Sequence, residues 1–201
     1  MKKLNIIVIT LMGLLVSVIS FDTQAQQKVW SIGPEAGVSV SKYGMDANAN
    51  QSKTGGVAGL FVTYSVVNNF AFTTKFLFYQ KGASYSSSNT NQTLRYIEIP
   101  LIARYFLTKK GFFRPNVFAG PSFAFLMGAN QNDRKVESYK DVYNRRDIGI
   151  TGGAGFNFLI ARETYFIIDA RYTHGLTDLT KASGNVSNNS LALTAGFSFG
   201  I

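Results

Sequence analysis

Hydrophobic residues alternate with small or polar residues along most of the chain after residue 28, and this period of two is typical of β-strands. In the segment VWSIGPEAGVSVS, which spans residues 29–41, the even positions carry apolar side chains such as Trp30 and Val38, whereas the odd positions carry Ser, Gly and Glu. The alternation returns in residues 57–66, 70–81, 96–106, 113–126, 147–158, 164–174 and 190–201. The pattern predicts eight strands, each long enough for the roughly 9–11 residues with which a tilted strand crosses a membrane.

The connections between the predicted strands alternate in length. Residues 42–56, 82–93, 127–146 and 175–189 are long and polar, whereas residues 67–69, 107–112 and 160–163 are short. Long external loops and short periplasmic turns are typical of outer-membrane barrels with an even number of strands. We therefore predict an all-β fold, an eight-stranded antiparallel up-and-down transmembrane β-barrel, whose first strand runs outward from the periplasm.

Aromatic residues recur at one end of the apolar face of each predicted strand. Membrane barrels place outward-facing aromatic side chains where the strands meet the lipid headgroups. The residues at these positions are Trp30, Tyr64, Phe70, Tyr105, Phe113, Phe158, Phe166 and Phe199. We predict that they form an aromatic girdle on the periplasmic side of the barrel.

A soluble lipocalin-like barrel that binds a ligand is an alternative with the same number of strands. Its polar face would point to water and would be rich in Lys, Glu and Asp. Here the polar face is mostly Gly, Ser and Thr, which suits the narrow interior of a barrel better than a solvated surface. The alternation therefore favours the membrane barrel.

The start of the chain has the features of a targeting segment. Two lysines precede an apolar run over residues 6–21, and the sequence TQA, ending at Ala25, offers the small residues that a signal peptidase accepts. We predict a cleaved signal peptide at residues 1–25 and one barrel domain at residues 26–201. An uncleaved anchor is the alternative, because the apolar run approaches the roughly 17 residues that span a bilayer.

Composition narrows the functional classes. The chain has 201 residues, with 20 Lys and Arg, 11 Asp and Glu, and no Cys. The absence of Cys excludes disulfides, thiolate metal sites, a Cys nucleophile and a lipoprotein-type lipid anchor. The net charge of +9 is scattered along the chain, which argues against nucleic acid as a partner and suits anionic lipid headgroups.

Charged residues on the polar faces would point into the barrel, whose interior is just wide enough for side chains to fill. Buried charges must pair, because an unpaired charge costs several kcal/mol. We predict a lumen charge network of three acids and three bases at mid-height, formed by Glu35, Lys75, Glu98, Arg104, Asp169 and Arg171. A structural network that fills the lumen and fixes the strand register is favoured, and a gate for protons or small ions is the alternative.

The fourth predicted strand, YIEIPLIARYF, interrupts an apolar run with Glu98, Pro100 and Arg104. All three share one parity and are predicted to face the lumen, where the two charges are candidate partners for Lys75 and Asp169. Proline cannot donate to a sheet ladder. We therefore predict a bulge or a missing ladder bond at Pro100.

The sequence offers little catalytic chemistry. His174 is the only His, and alternation places it on the outer face near the external end of the seventh strand. A lipid-modifying enzyme of the lipid A deacylase type would need a Ser on the same face, where Leu176 follows instead. No His, Asp or Glu cluster has the spacing of metal ligands. We therefore expect no catalytic residues, no metal and no cofactor.

Several segments carry a family resemblance. RYIEIPLIARY, GPEAGVSVS, GGAGFNF and the ending GFSFGI resemble the PorT-like outer membrane protein beta-barrel domain family, over the whole mature chain. Only Glu98 and Pro100 map onto a family motif, and the family assigns them no function. The resemblance implies a location in the outer membrane of a Gram-negative bacterium, and its founding member is linked to protein secretion.

The sequence thus predicts a small outer-membrane barrel with a structural or interaction role and a plugged, charge-paired lumen. An accessory role in protein secretion across the outer membrane is the alternative, followed by the lipid-modifying enzyme and the soluble ligand binder. The expected partners are outer-membrane lipids and lipopolysaccharide, the barrel assembly machinery during biogenesis, and envelope or secretion proteins. No nucleic acid is expected.

Overall fold

The fold is a single antiparallel sheet that closes on itself. A computed structural model describes residues 29–44, 51–85, 90–131, 134–135, 144–177 and 187–201. The predicted signal peptide lies outside these described residues. No helix in the described part of the chain is long and apolar enough to cross a membrane.

Eight long strands build the sheet. They are β1 (Val29–Gly44), β2 (Gln51–Val67), β3 (Phe70–Tyr85), β4 (Thr90–Phe106), β5 (Phe113–Gln131), β6 (Arg146–Ala161), β7 (Thr164–Gly175) and β8 (Ser187–Gly200). Each strand pairs antiparallel with the next one along the chain, and β8 pairs back with β1. A two-residue strand, Arg134–Lys135, adds to the end of β5. The predicted eight-stranded up-and-down barrel is confirmed.

The short connections and the start of β1 lie at the same end of the barrel. The backbone N–H of Ile201 donates to the carbonyl oxygen of Trp30 at 2.8 Å, which joins the end of the chain to the start of β1. Residues 68–69, 107–112 and 162–163 connect strands at this end. Short turns of outer-membrane barrels face the periplasm, so this end is named the periplasmic end and the opposite one the external end.

The strands extend further at the external end than the sequence predicts. β2 begins at Gln51 rather than at residue 57, and β5 ends at Gln131 rather than at residue 126. Beyond the lipid both faces of a strand meet water, so the alternation of apolar and polar side chains ends while the backbone ladder continues. The sequence pattern therefore marks the lipid-facing part of each strand and not its full length.

The two faces of the sheet differ in the sense that the alternation predicts. Outward side chains are large, apolar and exposed, as for Leu60 and Leu193 at 54% and Phe76 at 51%. Inward positions bury small polar residues such as Ser39 and Thr151, together with several charges. This arrangement is the reverse of a soluble lipocalin-like barrel, whose apolar side chains point inward.

Pro100 interrupts the sheet without shifting its register. The ladder between β3 and β4 has a gap of two positions between the pairs Thr74–Leu101 and Leu77–Glu98, and the register is the same on both sides of the gap. A proline has no N–H to donate there. Of the two predicted outcomes, the structure shows the loss of ladder pairing at Pro100. It shows no bulge there, because the register shift of β4 lies at Arg95 and Tyr96, further toward the external end.

Arginine substitutions test which surface faces lipid. Leu60→Arg would place a guanidinium within the apolar belt and should lower the free energy of unfolding by roughly 2–4 kcal/mol, whereas Leu107→Arg, in a periplasmic connection, should cost only about 0–1 kcal/mol. Urea unfolding of the protein in phospholipid vesicles measures both changes. Equal costs at the two positions would contradict a lipid-facing β2.

Candidate functional site in the barrel lumen

Four buried charges cross the middle of the lumen. The Lys75 Nζ of β3 donates to Glu35 Oε2 of β1 at 2.7 Å and to Asp169 Oδ2 of β7 at 2.9 Å. Arg104 of β4 binds the same Asp169 carboxylate through two bonds, at 3.0 Å and 2.7 Å. Each of the four residues is at most 4% exposed. These four, named the central cluster, contain two acids and two bases, and this balance is what allows charges to be buried.

Two amides extend the central cluster to the neighbouring strands. Arg104 Nη1 donates to Asn116 Oδ1 of β5 at 2.6 Å, and Asn116 Nδ2 donates to Asn157 Oδ1 of β6 at 3.1 Å. The Arg104 guanidinium also lies 4.6 Å from the centre of the Phe118 ring. Side chains of six strands, β1 and β3 to β7, are thereby joined across the lumen. Neither amide was predicted to take part in the network, because the only sign of it in the sequence is that both residues fall on the lumen-facing side of the alternation.

Gly155 of β6 provides the space that the Asp169 carboxylate occupies. A Cβ at residue 155 would lie 2.1 Å from Asp169 Oδ1 and 3.1 Å from Asn116 Oδ1. Real side chains do not approach this closely, so any other residue would displace the carboxylate from its partners. The absence of a side chain at Gly155 therefore allows the Asp169 carboxylate to reach its partners in the central cluster.

The six residues of the predicted network separate into two groups. Four form the central cluster, while Glu98 and Arg171 lie apart, with Arg171 Nη2 at 4.0 Å from Glu98 Oε1. The predicted pairing of Arg104 with Asp169 is present. Lys75, in contrast, contacts Glu35 and Asp169 rather than Glu98. The reason is that the stagger of the strands sets which side chains meet across the lumen. The alternation of the sequence gives only the face on which a side chain lies.

In the described part of the chain, large side chains are buried in the external half of the lumen. Tyr79, Leu94, Tyr96 and Leu126 are each at most 5% exposed. Tyr79 and Tyr96 are direct neighbours across the β3–β4 ladder, and Tyr96 and Leu126 are neighbours across the β4–β5 ladder. These residues form a packed layer on the external side of the central cluster.

The periplasmic half of the lumen is not filled. It contains a cavity of about 440 Å³, bounded by Lys75 and Arg104 on the side of the central cluster and by Asn68 and Arg162 at the periplasmic turns. The two halves of the barrel interior therefore differ, since one is packed and the other holds open space.

The residues of the predicted girdle lie on the outward face at the periplasmic end. The rings of Trp30 and Tyr64 are 4.7 Å apart, and those of Phe113 and Phe158 are 5.2 Å apart. The remaining members fall on the same face through the ladder pairs Phe70–Tyr105, Phe158–Phe166 and Ile32–Phe199. Every one of the eight positions thus has the facing that a girdle requires.

His174 lies on the outward face of β7. Its Nδ1 is 2.6 Å from Asn189 Oδ1, which is the only hydrogen-bond partner of the imidazole in the described part of the chain. A Ser–His–acid arrangement would need a hydroxyl nucleophile beside the imidazole, and the adjacent Ser190 of β8 is instead buried in the lumen. Nor does any group of three His, Asp or Glu among the described residues have the arrangement of a metal site.

Comparison with known proteins decides the family. The family described as outer membrane protein beta-barrel domain matches residues 24–181. The chain belongs to this family. It is therefore an outer-membrane protein, and its apolar outward face is the surface that meets lipid. None of the curated proteins is similar enough in sequence to match, and the more specific PorT-like assignment stays a prediction.

Solved outer-membrane barrels share the fold at low sequence identity. Neisserial surface protein A superimposes with a TM-score of 0.60 at 16% identity, over 85% of this chain and 96% of that chain. AlkL in lipid bilayers gives 0.55 at 16%, over 90% and 94%. A major outer membrane protein from Thermus thermophilus gives 0.55 at 11%, over 88% and 100%. At these identities the likeness shows the fold alone.

A double-mutant cycle tests the pairing of Glu35 with Lys75. Lys75→Met should lower the free energy of unfolding by about 3–5 kcal/mol, because it leaves the Glu35 carboxylate buried without a cation. Adding Glu35→Gln removes that orphaned charge, so the double variant should be more stable than the single Lys75 variant. Urea titration of all four proteins gives the coupling energy, and strictly additive costs would contradict the contact.

A pair of glycine substitutions tests the space beside Asp169. Gly155→Ala should cost about 1–3 kcal/mol in unfolding free energy, because the new methyl group overlaps the carboxylate. Gly56→Ala is the matched control, since nothing lies within 4 Å of a Cβ there, and it should stay within about 0.5 kcal/mol of the parent. Equal effects of the two changes would show that Gly155 makes no room for the cluster.

Proposed function

We propose that this protein is a non-conducting outer-membrane barrel with a structural or interaction role. The central cluster carries the proposal, because its contacts, extended by Asn116 and Asn157, join six strands across an interior that is only wide enough for side chains. Further toward the external end lie the buried Glu98 and Arg171 and then the layer of buried tyrosine and leucine side chains. Together they support a plugged, charge-paired lumen that holds the strands in register.

A gate for protons or small ions is less well supported by this geometry. Opening a path would require the central cluster to separate, and each charge that lost its partner inside the barrel would cost several kcal/mol. The Asp169 carboxylate has two cationic partners at once, so displacing it would break both contacts. The same arrangement that suits a plug therefore opposes a gate.

The proposed partners lie outside the lumen. The exposed apolar belt and the aromatic residues at its periplasmic edge suit contact with outer-membrane lipids and lipopolysaccharide, and the barrel assembly machinery would act during biogenesis. Half of the charged segment 127–146, namely residues 132–133 and 136–143, lies outside the described residues, so an external protein partner rests on the sequence alone. We expect no enzymatic activity, because the His174 imidazole is hydrogen-bonded to Asn189 and, among the described residues, to no hydroxyl nucleophile.

An accessory role in protein secretion remains the alternative proposal. It rests on the PorT-like resemblance of RYIEIPLIARY and not on a contact in the barrel. Co-purification from crosslinked envelopes separates the two proposals, because a secretion accessory should capture components of one secretion system reproducibly. A structural barrel should yield only lipid and abundant envelope proteins.

Electrical recording in planar bilayers tests the closed lumen. The folded protein is expected to give no stepwise conductance under conditions in which an outer-membrane porin, inserted in the same bilayer, gives clear openings. Heat-modifiable migration on a gel establishes that the protein under test is folded. Discrete openings whose ion selectivity changes in Glu35→Gln would contradict the closed lumen and favour a gate for ions.

A further inference from the structure

We propose that the cavity in the periplasmic half of the lumen is a binding site for a small organic carboxylate with an apolar body. This inference goes beyond the structural role proposed above, which requires no ligand. It rests on the size, charge and lining of the cavity. None of these three features is needed to close the barrel.

The cavity has the size and position of a small-molecule site. Its volume of about 440 Å³ lies within the roughly 300–1,000 Å³ that is usual for such pockets. The central cluster bounds it on one side, and the turns at residues 68–69 and 162–163 border it on the other. A ligand would therefore enter from the periplasm, since the central cluster and the buried tyrosine and leucine side chains lie between the cavity and the external end.

The wall of the cavity is cationic. Its charged lining residues are Lys75, Arg104, Arg114, Arg162 and Glu163. The two acids of the central cluster, Glu35 and Asp169, do not line it. The cluster thus presents its bases toward the cavity and its carboxylates away from it, although its own net charge is zero. Because Glu35 and Asp169 neutralise Lys75 and Arg104, the net positive charge of the wall comes from Arg114 and Arg162, opposed by the single acid Glu163. In a partly enclosed cavity this excess of positive charge attracts an anion.

Arg114 is the lining base that best fits an anion. Its Nη2 donates to the carbonyl oxygen of Asn68, and its guanidinium lies 4.1 Å from the centre of the Phe106 ring. No carboxylate in the described part of the chain pairs with it, and its Nε is buried without a hydrogen-bond partner. A buried donor left unused is costly. A carboxylate is the planar acceptor that a guanidinium binds through two bonds.

The rest of the lining favours an apolar body on that carboxylate. The side chains of Phe61, Phe106, Leu159 and Ile167 all contribute to the wall. An inorganic anion would leave this apolar surface in contact with water, whereas an aromatic or aliphatic group would cover it and gain the free energy of that burial. The two parts of the wall thus select an amphiphilic anion.

Fluorine NMR with 4-fluorobenzoate tests the site in the folded full barrel in detergent micelles. The probe should shift and broaden saturably with the parent protein. Arg114→Gln should weaken the apparent affinity about tenfold or more, because a charge-assisted hydrogen bond is lost. Lys109→Gln, in a periplasmic connection that does not line the cavity, is the matched control and should leave the affinity within about twofold.

Two further measurements guard against misfolding and against partition into the micelle. Arg114→Lys keeps the charge, so it should bind the probe better than Arg114→Gln, and both variants should keep heat-modifiable migration. The neutral 4-fluorobenzyl alcohol should bind about tenfold more weakly than the carboxylate. The proposal is overturned by an unsaturable signal, by unchanged binding in Arg114→Gln, or by equal binding of the neutral probe. A barrel that conducted ions and still bound the probe would contradict the closed lumen but not the carboxylate site.

Discussion

Closure of the sheet is the constraint on which the rest of the structure depends. Each backbone N–H or C=O left unpaired in hydrocarbon costs several kcal/mol, so β8 has to return to β1, and it does so from the pair Ser31–Gly200 to the pair Gly44–Ser187. Closing a sheet of only eight strands fixes a narrow interior. Every inward side chain then competes for the same small space, which explains why many inward positions carry glycine, serine or threonine.

The central cluster follows from the need to hold the strands in one register. A strand that was apolar on both faces would lose little by slipping one residue, because either face could meet lipid. With Lys75 and Asp169 inside, the same slip would carry a charge into the bilayer at a cost of up to about 2–4 kcal/mol for a central lysine. Separating the charges would leave each one buried without a partner, at a cost of several kcal/mol, and Gly155 keeps them together by leaving room for the Asp169 carboxylate.

Alternation alone was enough to predict the strands, their facing and the lumen position of Glu98 and Arg104, because a membrane barrel sorts side chains into two environments. It could not identify partners. Lys75 reaches Asp169, which lies four strands further along the chain, and this distance across the lumen depends on the accumulated stagger of the sheet. It also could not place the external strand ends, as at Gln51, since the two faces stop differing where the lipid ends. Asn116 was not predicted as a member of the network, because the prediction used only charged residues and its amide is neutral.

The interior is also uneven along the barrel axis, and stability does not require this. Packing a void with side chains stabilises a fold, yet small residues such as Ser31, Ser65 and Ser198 leave the periplasmic half open. Arg114 likewise adds a charge there that the neutral central cluster does not need for its own pairing. The central cluster therefore separates the buried side chains described in the external half from the cavity in the periplasmic half, and the proposed small-molecule site lies on the periplasmic side.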